Sequence, residues 1–348
     1  MRFLWRWLKR AVLAVLLLVL LLLLPVGYVE LACRGDGAGA PYDPIITDPA
    51  WQRAESRTLM TYPEWHIVHA YDDYAQVIAR GDPHDFAYMR AVAGFWTALC
   101  PLSRASAAMG GVTTDSKMTI YTIGVSFTAE LLAKALYEET LGRVVVNIRG
   151  RTRAPLDDLS AEQAANYARF LRQTPWYKWD FEADRAALAE AAGTGLRDRE
   201  RALALGLEYG AKAAYAGLIA EAVAGVGADE LRIRSVVTGL TATELAAQEG
   251  VTVVDALPQG VLIETDRYRT FTGILQRLAE AGGEIVEIAG NDEILFTVTG
   301  GRGAVTDALY SFRRQGYGDW RHLVVVPVAD LAARLRAAGA GLEHVHDY

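Results

Sequence analysis

AVLAVLLLVLLLLLPVGYV, running from Ala11 to Val29, decides how the rest of the chain is read. It carries no charge and is dominated by leucine. At roughly 1.5 Å per helical residue it is about as long as a bilayer's hydrocarbon core is thick. Arg2, Arg6, Lys9 and Arg10 precede it, whereas Glu30 and Asp36 follow it. Basic flanks stay preferentially on the cytoplasmic side. The sequence therefore predicts a basic cytoplasmic tail (1–10), a single-pass transmembrane anchor (11–29) in the inner, cytoplasmic membrane, and a periplasmic, extracytoplasmic remainder. Two other readings keep that compartment. A cleaved signal usually has an apolar region of only about 7–15 residues, and the nearby Ala38-Gly39-Ala40 is followed by Pro41. A lipoprotein signal ending at Leu31-Ala32-Cys33 would carry Glu30 where an aliphatic residue is wanted.

Beyond the anchor, residues 30–47 read as a tether, with Gly35 to Pro44 rich in Gly, Ala and Pro. About 300 residues remain, enough for two domains or one large one. The chain's formal net charge is −7, and because its first thirty residues are net basic the remainder is more acidic still. That balance argues against nucleic acid as a partner. The local cluster Arg149, Arg151 and Arg153 is expected to be a solvated loop rather than a phosphate site. The two cysteines, Cys33 and Cys100, leave three options open: a disulfide pinning the tether, two independent thiols, or a lipidated Cys33.

Two compositions follow one another. Residues 48–227 read as an all-α domain, with helices expected from Thr61, from Asp82-Pro83 toward Met109, over Ser126–Leu141, Ser160–Gln173, Phe181–Ala192 and Leu196–Ala224. Thr61 and Glu64 have the spacing of a capping box, with Pro63 in the first turn. Residues 228–348 alternate short β-branched runs with single helices. Gly282-Gly283 closes one helix, and Gly290-Asn291-Asp292 reads as a hairpin turn. An α+β sheet domain of ferredoxin-like arrangement is the expectation.

Four groups of residues could carry function. Glu130-Leu-Leu-Ala-Lys-Ala-Leu-Tyr137 is echoed by Glu208-Tyr-Gly-Ala-Lys-Ala-Ala-Tyr215. In each, Glu, Lys and Tyr share one helical face. Glu130, Lys134, Tyr137, Glu208, Lys212 and Tyr215 could form a ligand pocket or a buried polar network, and Gly206, Gly210 and Gly217 would let another backbone approach. His66, His69 and Asp73 fall within roughly 60° on one helix, a face that could hold a divalent metal with help from His84 or Asp85. The blander reading leaves that face solvated and buries Ile67, Tyr71, Tyr74 and Ile78 instead. His344 and His346 share a strand face. Trp176, Tyr177, Trp179 and Phe181 form either a packed corner or an aromatic surface for membrane or partner.

No G-x-S-x-G, H-E-x-x-H, P-loop or zinc cysteine cluster is present. The leading expectation is a membrane-anchored binding or assembly protein of the cell envelope, touching the membrane through residues 11–29 and an envelope protein or lipid beyond it. No motif requires a cofactor. The alternatives are a divalent-metal-dependent envelope enzyme using His66, His69 and Asp73, and a small-ligand or lipid receptor using the Glu/Lys/Tyr pocket.

Overall fold

The computed structural model describes residues 2–35, 42–224 and 231–348. Helix α1 (Arg2–Ala32) is long and apolar enough to cross a membrane, with a mean hydropathy of 3.0 over its best segment. Seven helices follow: α2 (Arg57–Ile78), α3 (Tyr88–Ala108), α4 (Thr114–Tyr137), α5 (Arg143–Arg149), α6 (Pro155–Leu171), α7 (Phe181–Ala191) and α8 (Leu196–Ala224). A π-helical turn, Glu138–Gly142, joins α4 to α5.

The stretch expected to be a tether is fastened at both described ends. Val29 and Cys33 are buried against α3 and α4, with Val26 packed beside them. Cys33 is disulfide-bonded to Cys100. Glu30 accepts from the Tyr121 hydroxyl at 2.6 Å and pairs with Lys117 Nζ at 3.0 Å. A Cβ on Gly35 would lie 2.4 Å from the Arg104 carbonyl oxygen, so only glycine passes there. Further on, the Tyr42 hydroxyl and the Ile46 N–H donate to the buried Glu287 carboxylate at 2.8 and 2.7 Å.

Four helix starts differ from expectation: α3 begins at Tyr88, after a separate turn at Pro83–Asp85, and α6 at Pro155, five residues before Ser160; the other two are α2 and α4. Helix α2 begins at Arg57, not Thr61, whose hydroxyl instead donates to the Thr58 carbonyl. Helix α4 begins at Thr114, capped by the Thr113 hydroxyl, a full twelve residues before Ser126. Its Thr-Ile-Tyr-Thr-Ile-Gly-Val run is a poor helix former by propensity. Packing overrides that: a Cβ on Gly124 would sit 2.4 Å from the Phe95 ring, so the glycine admits an aromatic neighbour.

The C-terminal part comprises β1 (Arg232–Thr238), α9 (Ala242–Ala246), β2 (Val251–Leu257), β3 (Gly260–Asp266), α10 (Tyr268–Glu280), β4 (Glu284–Ile288), β5 (Glu293–Gly300), β6 (Tyr310–Arg313), β7 (Trp320–Pro327), α11 (Val328–Ala338) and β8 (Leu342–His346). It forms two antiparallel sheets, ordered β2-β3-β1-β4 and β6-β7-β5-β8. Gly290-Asn291-Asp292 is therefore not a hairpin between paired strands. With Ala289 and Gly290 at φ 52° and 80°, it carries the chain from one sheet to the other.

The two units repeat one plan. In each, the first strand pairs with the third and fourth, and its ladder to the fourth slips by one residue, skipping Val286 in one and Glu343 in the other. Arg277-Leu278…Ala281-Gly282 ends α10 as Arg334-Leu335…Ala338-Gly339 ends α11, and both glycines take positive φ, 93° and 50°. Helix α11 packs chiefly on β4, and α10 on α11 and then β8, so each leans on the other unit. Phe271, Leu275, Val324, Leu331 and Val345 form their shared core. The second sheet's opposite face lies against α2, where Leu295 and Leu323 join Tyr62, Phe95 and Leu99. Helices and sheet thus have a common core.

Candidate functional site

The seam between α2 and the second sheet concentrates the buried polar groups. Helix α2 was expected to present His66, His69 and Asp73 to solvent. All three are buried, along with Tyr62, Trp65, Tyr71 and Tyr74, because other elements cover most of α2's circumference, leaving Arg57 and Glu64 exposed. The helix turns them to different neighbours. His66 Nε2 lies 2.9 Å from the Ala91 carbonyl, and its ring is flanked by Phe95, Phe127 and Phe312. His69 Nε2 lies 3.5 Å from Glu343 Oε2. Asp73 Oδ2 accepts from the Gln315 N–H at 2.8 Å.

His344 and His346 meet α2 from β8, which sequence alone did not join to His69. Trp65 stacks on His344 with ring centroids 3.4 Å apart and lies 5.8 and 6.0 Å from His69 and His346. Arg321, fully buried, forks onto Glu343 through Nε and Nη2. The Thr58 hydroxyl stitches the seam, donating to the His346 carbonyl at 2.6 Å while accepting from the Leu295 N–H at 2.9 Å.

Burial sets the protonation here. It holds His346 down to about 3, and His66 to about 4, with the Arg321 charge acting in the same direction. His69 and His344 are likewise pushed well below the ordinary imidazole value, mainly by burial. Burial raises Asp73 to about 7 against the pull of Arg321. The imidazoles are therefore neutral at physiological pH, the state in which they bind metal or carry one N–H and one lone pair. Among the described residues, His69 Nε2, His344 Nε2 and both ring nitrogens of His346 have no hydrogen-bond partner, nor does Asp73 Oδ1. At about 1–3 kcal/mol for each unmade bond, this is an expensive cluster.

The three imidazoles do not converge as a ready cage. Among the described residues, the set whose donor atoms all lie within 4.8 Å of one another is Asp82, His84 and Asp85. Arginines already occupy those carboxylates: Arg149 and Arg197 reach Asp82 at 2.8 and 3.2 Å, and Arg151 reaches Asp85 at 3.1 Å. The Arg149–Arg153 cluster is accordingly an ion-pair network rather than a free solvated loop.

The repeated Glu/Lys helices do meet. Lys134 Nζ contacts Glu208 at 2.9 Å, and Lys212 Nζ contacts Glu130 at 2.8 Å and Glu208 at 3.1 Å. Tyr71, which sequence reasoning missed, donates to Glu130 at 2.6 Å, and Tyr74 places its ring 4.3 Å from Lys134 Nζ. The tyrosines of the repeat lie elsewhere: Tyr137 donates to Glu200, and Tyr215 is exposed beside Trp176. The cavity within the network is about 30 Å³, room for one water. Phe181 is buried, with Trp176, Tyr177 and Trp179 packed around it and Tyr167, a corner between α6 and α7. A larger cavity, about 380 Å³, lies at the foot of α1 between Glu30, Lys117, Tyr121, Met60, Leu99 and Ile120. Searched against protein-family models, curated proteins and solved structures, the chain has no match, so its function is argued from its own residues.

Proposed function

We propose that this chain is a single-pass, membrane-anchored extracytoplasmic binding or assembly protein of the cell envelope, with residues 1–10 in the cytoplasm. The observation that carries the reading is the Cys33–Cys100 disulfide at the foot of an apolar helix. Disulfides persist in oxidising compartments, and the basic residues lie at the other end of that helix. The same pair of facts supports the inner membrane and periplasm as the compartment of this reading. Beyond the anchor, the strand order β2-β3-β1-β4 with helices after β1 and β3 supports a ferredoxin-like reading of the first unit, its first helix reduced to one turn. The second unit repeats it with a loop in that helix's place. The water-sized cavity between Glu208 and Lys134 favours a structural network over a receptor pocket.

The topology is tested by fusing alkaline phosphatase after residue 50. Active fusions are expected, and inactive ones would sink the assignment. Cross-linking in intact membranes then tests binding: a specific envelope protein or lipid adduct is expected, and its consistent absence argues against an assembly role.

A second reading, a divalent-metal-dependent enzyme, rests on the nitrogens of His69, His344 and His346 that lack a hydrogen-bond partner among the described residues; an ion would have to draw these rings together, since Arg321 already holds Glu343. His and Glu donors suit zinc-like ions. Under it, full-length protein purified without a His-tag should hold near one equivalent of metal, lost in a His69→Ala/His344→Ala variant. Metal-free wild type retires it.

A further inference from the structure

The exposed apolar surface of the helical region is confined and oddly built. Met118 and Leu136 on α4, Ile148 on α5, and Leu203, Leu207 and Leu218 on α8 all stand out from the body, the last three being 66%, 68% and 65% exposed. A helix bordering water puts its charges outward and its apolar side inward. Helices α4 and α8 keep apolar residues inward, Phe127 and Leu131 on one and Leu205 and Tyr209 on the other, but are apolar outward as well and turn their charges inside. Between Met118 and Leu136 the charges of α4 are Glu130 and Lys134, and between Ala202 and Ala220 those of α8 are Glu208 and Lys212. All four turn inward and pair with one another. Ionisable groups on lipid-facing helices behave this way, pointing to the bundle interior and pairing there.

The face is bounded. Glu130 meets Lys212, Lys134 meets Glu208, and Glu138 meets Arg201, so α4 and α8 run antiparallel. Each outwardly uncharged stretch is roughly 28 Å long at 1.5 Å per residue. Charge bounds both ends: Lys117 with Glu30 of α1 at one, Glu138 with Arg201 at the other. The anchor supplies continuity. Within its apolar Ala11–Val29 segment, Val26 and Val29 pack into the same cluster as Ile120 and Tyr121 of α4. The start of α4 therefore already lies beside residues of bilayer depth.

We propose that the occupant of this face is lipid: the α4–α8 side of the helical region is seated among the acyl chains beside its anchor. The inference rests on the membrane-anchored reading above. Both native cysteines are in the disulfide, so single spin labels can be placed on the full chain by Leu207→Cys and Leu218→Cys. Leu17→Cys in α1 and Glu249→Cys on the exposed sheet side serve as references. In phosphatidylcholine/phosphatidylglycerol liposomes, collision with oxygen reports acyl chains, and collision with a nickel chelate reports water. Labels at 207 and 218 should match 17, with oxygen collisions exceeding nickel collisions severalfold, and 249 should show the opposite. Labels at 207 and 218 that match 249 would mean a wet face. Labels shielded from both reagents would mean a second copy covers it. Either result overturns the inference. A label at 17 that behaves like 249 would instead defeat the anchored reading, so the two failures are told apart.

Discussion

Replacing Glu208 with Gln tests whether the four inward charges form a closed network. Lys134 and Lys212 carry two positive charges, and Glu130 and Glu208 two negative ones, with Glu208 contacting both lysines at 2.9 and 3.1 Å. The side chains of Lys134 and Lys212 are 12% and 14% exposed, so solvent screens them little. Removing Glu208's charge leaves Lys134 beside the Tyr74 ring, 4.3 Å away, and leaves Glu130 as the one network carboxylate to offset both lysines. Breaking a buried pair by removing one partner costs about 3–5 kcal/mol, since the remaining charge has no counter-ion. At roughly 2–4 °C per kcal/mol for a chain of this size class, the melting temperature should fall by about 6–20 °C. The assay is thermal unfolding of the full chain in lipid nanodiscs, followed by circular dichroism. A second substitution, Lys134→Met, should restore at least half the loss, because it removes the stranded charge. A fall of less than about 2 °C for Glu208→Gln, or a double variant no better than the single, would refute the reasoning.

The remaining predictions concern the clamp, the seam and the helix contact. Cys33→Ser/Cys100→Ser opens a loop of 67 residues' separation; chain entropy predicts a loss of about 4 kcal/mol, read by urea unfolding against wild type with and without reductant. His346 is held down to about 3, so below pH 6.5 the unfolded chain takes up a proton that the folded ring refuses, and stability falls with pH. By pH 4.5 that amounts to about 3 kcal/mol, which a His346→Asn variant should not lose between pH 7 and 4.5. Asp73, raised to about 7, acts with the opposite sign: its contribution is present in acid and is lost as pH rises from the ordinary carboxyl range near 4 to 7, so Asp73→Asn should flatten that part of the melting-temperature profile. Gly124→Ala, which in an open helix would stabilise, should here cost about 1–3 kcal/mol, because its Cβ would fall 2.4 Å from the Phe95 ring.

What the sequence disclosed was whatever local chemistry dictates. The apolar helix at the N-terminus, the helical middle and the sheet-bearing end are written in periodicity and composition. The Glu/Lys echo was readable too, because residues four apart share a helix face. What escaped notice was set by packing. Thr119 to Val125 looked unlike a helix until Phe95 filled the groove at Gly124. Tyr71 and Tyr74 were correctly expected to be buried, yet nothing near them said that two lysines would sit on their rings. The internal duplication left a trace, Arg-Leu-x-x-Ala-Gly at 277–282 and 334–339, that a search for repeats across the strand-rich part would have found. The meeting of His69 with His344 and His346 left none, since it depends on which sheet face α2 covers.

That seam also dictates an order of events during synthesis. Thr58 bonds to His346, and Asp73 to Gln315, across sequence separations of 288 and 242 residues. Helix α2 is made early, with two histidines, two aspartates and a tryptophan that belong in an interior. It must wait, incompletely covered, until β8 arrives to close over it. Contacts so distant in sequence form slowly, and the intermediate exposes surface prone to aggregation. A nascent chain fastened at its first helix, and clipped early between residues 33 and 100, spends that interval with far less freedom to meet another copy of itself.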